Sequence, residues 1–233
     1  MSTHIKIGFW GGPEYSVLVL EKLFKAGFEI AFVVTSLDMP KGRNLVLTPP
    51  PAKIWALKNN IPVIQPTNLR SDDFKTILSE YACDVYVVMA FGKIIPDDVL
   101  NIPKHKSLNI HPSLLPKFRG PCPIESAILA DEKETGVTVM LMDKEMDHGP
   151  IVAMEKVTME PWPPKAHELG IALVEKGADL LVELLPKWVA GKMKAVEQNH
   201  GEATYTKKII KEDGLINLND DPMKNYNKFR AFY

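Results

Sequence analysis

Asp84-Val85-Tyr86-Val87-Val88-Met89-Ala90 is a strand-length apolar run with no polar residue between its ends. A strand with one wet face alternates apolar and polar side chains. This run does not alternate, so both faces are buried, as in a sheet covered by helices on either side. Upstream, residues 5–11 form a second apolar strand closed by Gly11-Gly12-Pro13. A helical pattern follows, with Val17, Leu18, Leu20, Leu23 and Phe24 on its apolar face and Gly27 at its stop. Residues 28–35 predict a strand, 53–59 a short helix, 63–64 a short strand and 72–80 a helix. Downstream, 108–110 and 137–142 read as strands. Residues 166–190 read as a long amphipathic helix striped by Leu169, Leu173, Val174, Leu180, Leu181, Leu184, Leu185 and Trp188. A helix between successive early strands implies right-handed crossovers. The expected architecture is therefore α/β: a Rossmann-like, open, mainly parallel twisted sheet with helices on both faces.

Composition narrows the function classes. The chain has 233 residues, 45% hydrophobic and 24% charged, enough for a sizeable core and inconsistent with wholesale disorder. Twenty-eight basic against 29 acidic side chains leave no strongly basic nucleic-acid platform in the total. Two cysteines, Cys83 and Cys122, make neither a disulfide framework nor a zinc site. His4, His105, His167 and His200 lack ligand spacing, so no metal is expected. The N-terminus lacks a signal-peptide plan, and no apolar run approaches the ~20 residues of a membrane span, so the protein reads as soluble and cytoplasmic. The first turn, Gly8-Phe9-Trp10-Gly11-Gly12, matches neither a dinucleotide fingerprint nor a P-loop.

Open α/β sheets bind ligands beyond the carboxyl ends of their strands. Three segments there carry unusual content: Ala90-Phe91-Gly92-Lys93-Ile94-Ile95-Pro96, Asn109-Ile110-His111-Pro112-Ser113-Leu114-Leu115-Pro116, and the loop 142–151 holding Asp143 and Asp147. Residues i and i+2 of a strand share a face, so Asn109 and His111 can converge on one ligand atom. An amide and an imidazole aimed together make a cradle for negative charge developing on oxygen, and Asp147 could orient the imidazole and accept a proton. The same spacing fits a capped strand end in which both side chains merely satisfy backbone groups.

The strings SLNIHPSLLPKFRGPCPIESAIL (107–129) and KETGVTVMLMDKEMDHGPI (133–151) resemble the N10-formyltetrahydrofolate-dependent formyltransferases. The likeness extends through Asp38-x-Pro40-x-Gly42-Arg43, Ile64-Gln65-Pro66, Tyr205 and Lys208, and Arg230-Ala231-Phe232. It implies a catalytic triad of Asn109, His111 and Asp147. It also implies that 10-formyltetrahydrofolate, as co-substrate, is held by Ser113, Leu114, Leu115 and Pro116. The pterin would lie against largely backbone groups of Ala90, Phe91, Gly92, Ile94 and Ile95 and of the loop near Asp143.

Within the family the likeness points to the branch that formylates initiator methionyl-tRNA for translation initiation. Lys41 and Arg43, in the loop 36–48, would then meet acceptor-stem phosphates. On that reading residues 1–190 are the catalytic domain, and 191–233 are an extension leading toward a C-terminal OB-like domain that is absent. The alternatives are a sugar-nucleotide N-formyltransferase using the same donor, or a folate-binding or formyl-hydrolysing module.

Overall fold

The apolar run around Val87 becomes the central strand of a seven-stranded sheet. The computed structural model describes residues 4–232. Its elements are β1 (Lys6–Gly11), α1 (Glu14–Lys25), β2 (Glu29–Val34), β3 (Met39–Lys41), β4 (Val46–Thr48), α2 (Pro51–Lys58), β5 (Val63–Ile64) and α3 (Asp72–Glu80). They continue with β6 (Val85–Met89), α4 (Asp97–Leu100), β7 (Ser107–His111), α5 (Pro123–Leu129), β8 (Thr135–Leu141), β9 (Ile151–Val157), α6 (Ala166–Val189) and α7 (Pro222–Phe232). The strand order is β5-β2-β1-β6-β7-β8-β9. From β5 to β7 all neighbours are parallel, as expected, and β8 and β9 join antiparallel. The chain winds outward from β1 to β5, then crosses to β6, so the strand order reverses between β1 and β6.

The two faces have different jobs. On one, Ile7, Phe9, Val87, Leu108, Ile110, Val137 and Val139 pack under Leu20 and Leu23 of α1 and Leu181 and Leu185 of α6. Gly177 lets α6 lie close: a Cβ there would sit 2.7 Å from Ile110 Cγ2 and 2.8 Å from Val137 Cγ2. On the other face, Trp10, Phe32, Val34, Tyr86 and Val88 meet Phe74 and Leu78 of α3 together with Val99 and Leu100. A third cluster joins α5, α6 and α7 through Ile124, Ile128, Leu169, Leu173 and Ala231.

Local chemistry fixes the ends. Ser71 caps α3 by accepting from Phe74 N, and Asp72 and Asp73 sit at the positive end of its dipole. Ser16, in the first turn of α1, donates to Met89 O at 2.7 Å and accepts from Gly12 N at 3.0 Å, tying the β1 turn to the end of β6. The structure adds elements that the patterning does not announce. Residues 36–48 contain a small antiparallel hairpin, β3–β4, whose six strand residues are almost wholly exposed. Strand β9 lies at the sheet edge, and α7 is polar but docks on α5 through Ala231.

Glu125, in the first turn of α5, is half-buried, and burial pushes its carboxyl above the usual glutamate range. A raised carboxyl pKa means that folding disfavours the charged form, so its cost appears as pH rises through that pKa. Glu125→Gln should therefore raise the melting temperature at about pH 8, with the gain vanishing near about pH 3, where glutamate is protonated in both states. Thermal melts at the two pH values check this.

Candidate active site

Strand β7 serves both faces of the sheet. Leu108 and Ile110 point to α6, which turns Asn109 and His111 to the other side, where Asn109 lies between Val88 and Met140 and His111 beside Thr138. His111 is 4% exposed. Its Nε2 lies 2.9 Å from the Phe118 carbonyl, which can only accept, so Nε2 is a donor. Its Nδ1 faces Asp147 Oδ1 at 3.6 Å. The half-buried Asn109 carboxamide has no hydrogen-bond partner among the described residues, which leaves its donors and acceptor for a ligand.

Asp147 reaches this point by an indirect route. Because β8 is antiparallel, its carboxyl end lies beside Leu108, at the far end of β7 from His111. The loop 142–150 starts there, with Met142 N on Ser107 O at 2.9 Å, and must climb the sheet face to bring Asp147 up. The expectation that this loop begins at the same strand ends as the other two segments is thus corrected, although Asp147 still arrives beside His111. Asp147 adopts φ 52°, and Ala90 (52°), just past β6, and Phe118 (59°), whose carbonyl takes His111 Nε2, share the left-handed region. Such backbone costs on the order of 1–2 kcal/mol per non-glycine residue, so the surroundings must hold it.

The hold comes from three consecutive residues. The Phe118 carbonyl takes His111 Nε2, and Gly120 N donates to Asp147 Oδ2 at 2.8 Å. Between them Arg119 is 1% exposed. Its Nε and Nη2 donate to Gln198 Oε1 at 3.1 and 2.6 Å, its Nη1 to Tyr205 Oη at 3.1 Å, and its Nη2 also to His200 Nδ1 at 2.9 Å. Gln198 Nε2 in turn donates to the carbonyls of Asp147 and Gly149, at 2.9 and 2.7 Å. Gly120 has φ 112°, and a Cβ there would lie 2.7 Å from Thr206 Oγ1, so only glycine fits against Thr206. His148, next to Asp147, bonds Asp143 Oδ2 through Nδ1 at 2.8 Å and stacks on His200 with ring centres 4.0 Å apart. Gln198 and His200 carry no sequence signal for these roles, since only tertiary folding brings them here.

The model of the formyl transferase family matches residues 7–185. The chain belongs to that family. A methionyl-tRNA formyltransferase of Chloroflexus aurantiacus is 48% identical over 212 residues, covering 91% of this chain and 68% of that protein. One from Dictyoglomus thermophilum is 41% identical over 228 residues, covering 97% and 72%. Among solved structures, an N-formyltransferase from Helicobacter canadensis in complex with folinic acid and dTDP-3-aminofucose superposes with TM-score 0.72 at 22% identity, covering 98% of this chain and 80% of that one. HypX from Aquifex aeolicus with tetrahydrofolic acid gives 0.73 at 20%, covering 98% and 34%. At these identities the two structures speak for the formyltransferase fold alone.

The residues expected to contact the co-substrate divide by what they leave open. Phe91 and Ile95 are buried in the core beside Trp10, so their side chains are unavailable, whereas Ala90, Gly92 and Ile94 are exposed. From Phe91 to Ile94 no main-chain group has a hydrogen-bond partner among the described residues, leaving donors and acceptors open to a polar ring. Ser113 is spent internally: its Oγ donates to Lys117 O at 2.6 Å. Thr138 Oγ1 donates to Ser113 O at 2.7 Å and accepts from Leu115 N at 3.2 Å, pinning the loop to β8. Leu114 lies over Gly136, and Leu114 and Pro116 remain half-exposed. Asp143 holds His148 and Glu145 N.

At the strand-order reversal a cavity of about 170 Å³ opens between Gly12, Pro13, Ala90, Phe91 and the hairpin. Lys41 lines it, whereas Arg43 stands exposed at the hairpin tip, outside that lining. Burial pushes the Cys83 thiol up to about 12, which removes it as a nucleophile. Among the described residues no group of three or more His, Cys, Asp or Glu side chains could hold a metal ion, and no helix is long and apolar enough to cross a membrane. Thr138→Val keeps the shape but strands Leu115 N–H and Ser113 C=O in the interior. It should cost about 2–4 kcal/mol in urea unfolding.

Proposed function

We propose that this chain transfers the formyl group of 10-formyltetrahydrofolate to the amino group of initiator methionyl-tRNA, a cytoplasmic step of translation initiation. What carries the reading is the convergence of Asn109, with its unpaired carboxamide, and His111, its Nδ1 3.6 Å from Asp147, in a chain whose full-length relatives bear that name. The amine nitrogen attacks the formyl carbon and a C–N bond forms. The carbonyl oxygen takes the negative charge, and Asn109 with protonated His111 donates to it. With Nε2 committed to Phe118, Nδ1 is the nitrogen left facing Asp147 and the reacting atoms. Asp147 fixes the ring and receives the proton that the amine loses. Collapse of the tetrahedral centre breaks the bond to N10, which takes the proton back from Asp147 and leaves as tetrahydrofolate.

The open backbone from Phe91 to Ile94 and the apolar faces of Leu114 and Pro116 suit a flat, polar-edged ring beside the site. Lys41 at the cavity wall and Arg43 at the hairpin tip suit the phosphates of an acceptor stem. The exposed Leu45, Val46 and Leu47 between Arg43 and Thr48 offer apolar contact to its end.

Removing one oxyanion donor costs about 3–4 kcal/mol in comparable sites. Asn109→Ala, His111→Ala and Asp147→Asn should each lower formyl transfer at least ~100-fold with the fold retained by circular dichroism. The assay follows tetrahydrofolate release with methionyl-tRNA, aminosugar nucleotides or water as acceptor. Turnover confined to an aminosugar would overturn the acceptor, and a His111→Ala protein of near-normal rate would overturn the chemistry. Arg43→Ala should raise KM for methionyl-tRNA, leave kcat nearly unchanged, and flatten the salt dependence by about one phosphate contact. A titration of KM against salt concentration checks this.

A further inference from the structure

We propose that Gln198 is a positioning residue for the transfer reaction, setting the place of Asp147 through the main chain of residues 147–149, with Arg119 as its anchor. The inference rests on the role given above to Asp147. The orientation of the Gln198 amide is dictated by its neighbours. Arg119 can only donate, so it must face Oε1; the carbonyls of Asp147 and Gly149 can only accept, so they must face Nε2. Both amide hydrogens and both lone pairs are thereby used, and a flipped amide would oppose like to like on both sides.

The anchor is itself fixed. Arg119 N donates to Thr204 O at 2.9 Å and Thr206 N to Arg119 O at 2.7 Å, so the strip around Tyr205 runs as a short parallel bridge beside Arg119. Gln198 is 5% exposed, which keeps water from competing for these bonds. A packing role alone would need one satisfied amide. Here one amide grips the two carbonyls of Asp147 and Gly149 that bracket His148, and Asp147's left-handed φ of 52° would otherwise relax. The opposite side of the same aspartate is held by Gly120, next in sequence to the anchor. Asp147 is thus clamped through its backbone and its carboxylate from a single frame, and the 3.6 Å approach to His111 is set by that frame.

The test uses Gln198→Asn, one methylene too short to span Arg119 and both carbonyls, and Gln198→Glu. The glutamate keeps length and gains charge pairing with Arg119, but it turns the two donors into an acceptor; it also holds the fold should the asparagine variant not. We expect kcat to fall about 10- to 100-fold, as for a displacement near 1 Å, with KM for 10-formyltetrahydrofolate within about twofold of wild type. In an Asp147→Asn background the same change should add no more than about a threefold loss, because the residue acts through Asp147. Independently of any substrate, exchange of the Gly120 amide hydrogen should speed up at least about tenfold while amides of β6 and β7 keep their rates.

Near-normal kcat, losses that multiply with those of Asp147→Asn, or an unchanged Gly120 amide would each overturn the proposal. A wild-type chain that forms no formyl-methionyl-tRNA would instead overturn the reading of function, and the Gly120 exchange would still decide the positioning.

Discussion

A guanidinium cannot shed its charge, and that of Arg119 is sealed in the interior with Gln198, Tyr205 and His200 as its side-chain partners. None of these is a carboxylate. A buried cation with no ion-pair partner among the described residues is tolerable only if its donors are met, because each unmet donor carries a full desolvation cost. All three acceptors come from residues 198–205, so the strip must lie against the loop that follows β7. That obligation positions everything beside it: the Phe118 carbonyl for His111, the Gly120 amide for Asp147, and the Gln198 amide for the turn above them. The site is polar, but its geometry follows from one charge that has nowhere else to go.

The other half of the geometry is hydrophobic. Leu108 and Ile110 are drawn under α6 by burial, and strand alternation then turns Asn109 and His111 to the opposite face without further instruction. Gly177 tightens this coupling by letting the helix touch Ile110 and Val137 directly. A one-residue slip of β7 would put an asparagine and a histidine into the core and two aliphatic side chains into the site, so register and chemistry are protected by the same penalty. Val88, in register with Asn109, marks where the apolar layer of that face gives way to polar groups.

Much of this is written locally in the chain. The helix from Asp72 to Glu80 is framed by a serine cap and two aspartates, and the continuous apolar run at β6 could only be a doubly covered strand. Asn109 and His111 were legible because their spacing is a property of any strand. The direction of β8 was not. Its TGVTVML looks like a parallel interior strand and follows a helix, yet it pairs antiparallel, and nothing in seven residues records which way a neighbour runs. Strand β9 mixes exposed and half-buried positions because it is an edge, and the hairpin strands β3 and β4 are too short and exposed to show a period. Gln198 and Arg119 were hidden for a different reason. Both residue types normally face water, and only contact across 79 positions of chain makes them interior.

That long reach bears on the order in which the molecule becomes itself. The sheet and its covering helix α6 are complete by Val189, and a chain emerging N-terminus first can bury both hydrophobic faces at that point. The strip that satisfies Arg119 arrives only afterwards. Until Thr206 has emerged, the arginine has a solvated alternative and the turn holding Asp147 lacks its grip. Foldedness and competence are therefore separate events in the life of this chain, with the second reached 17 residues after the first, at Thr206 rather than Val189.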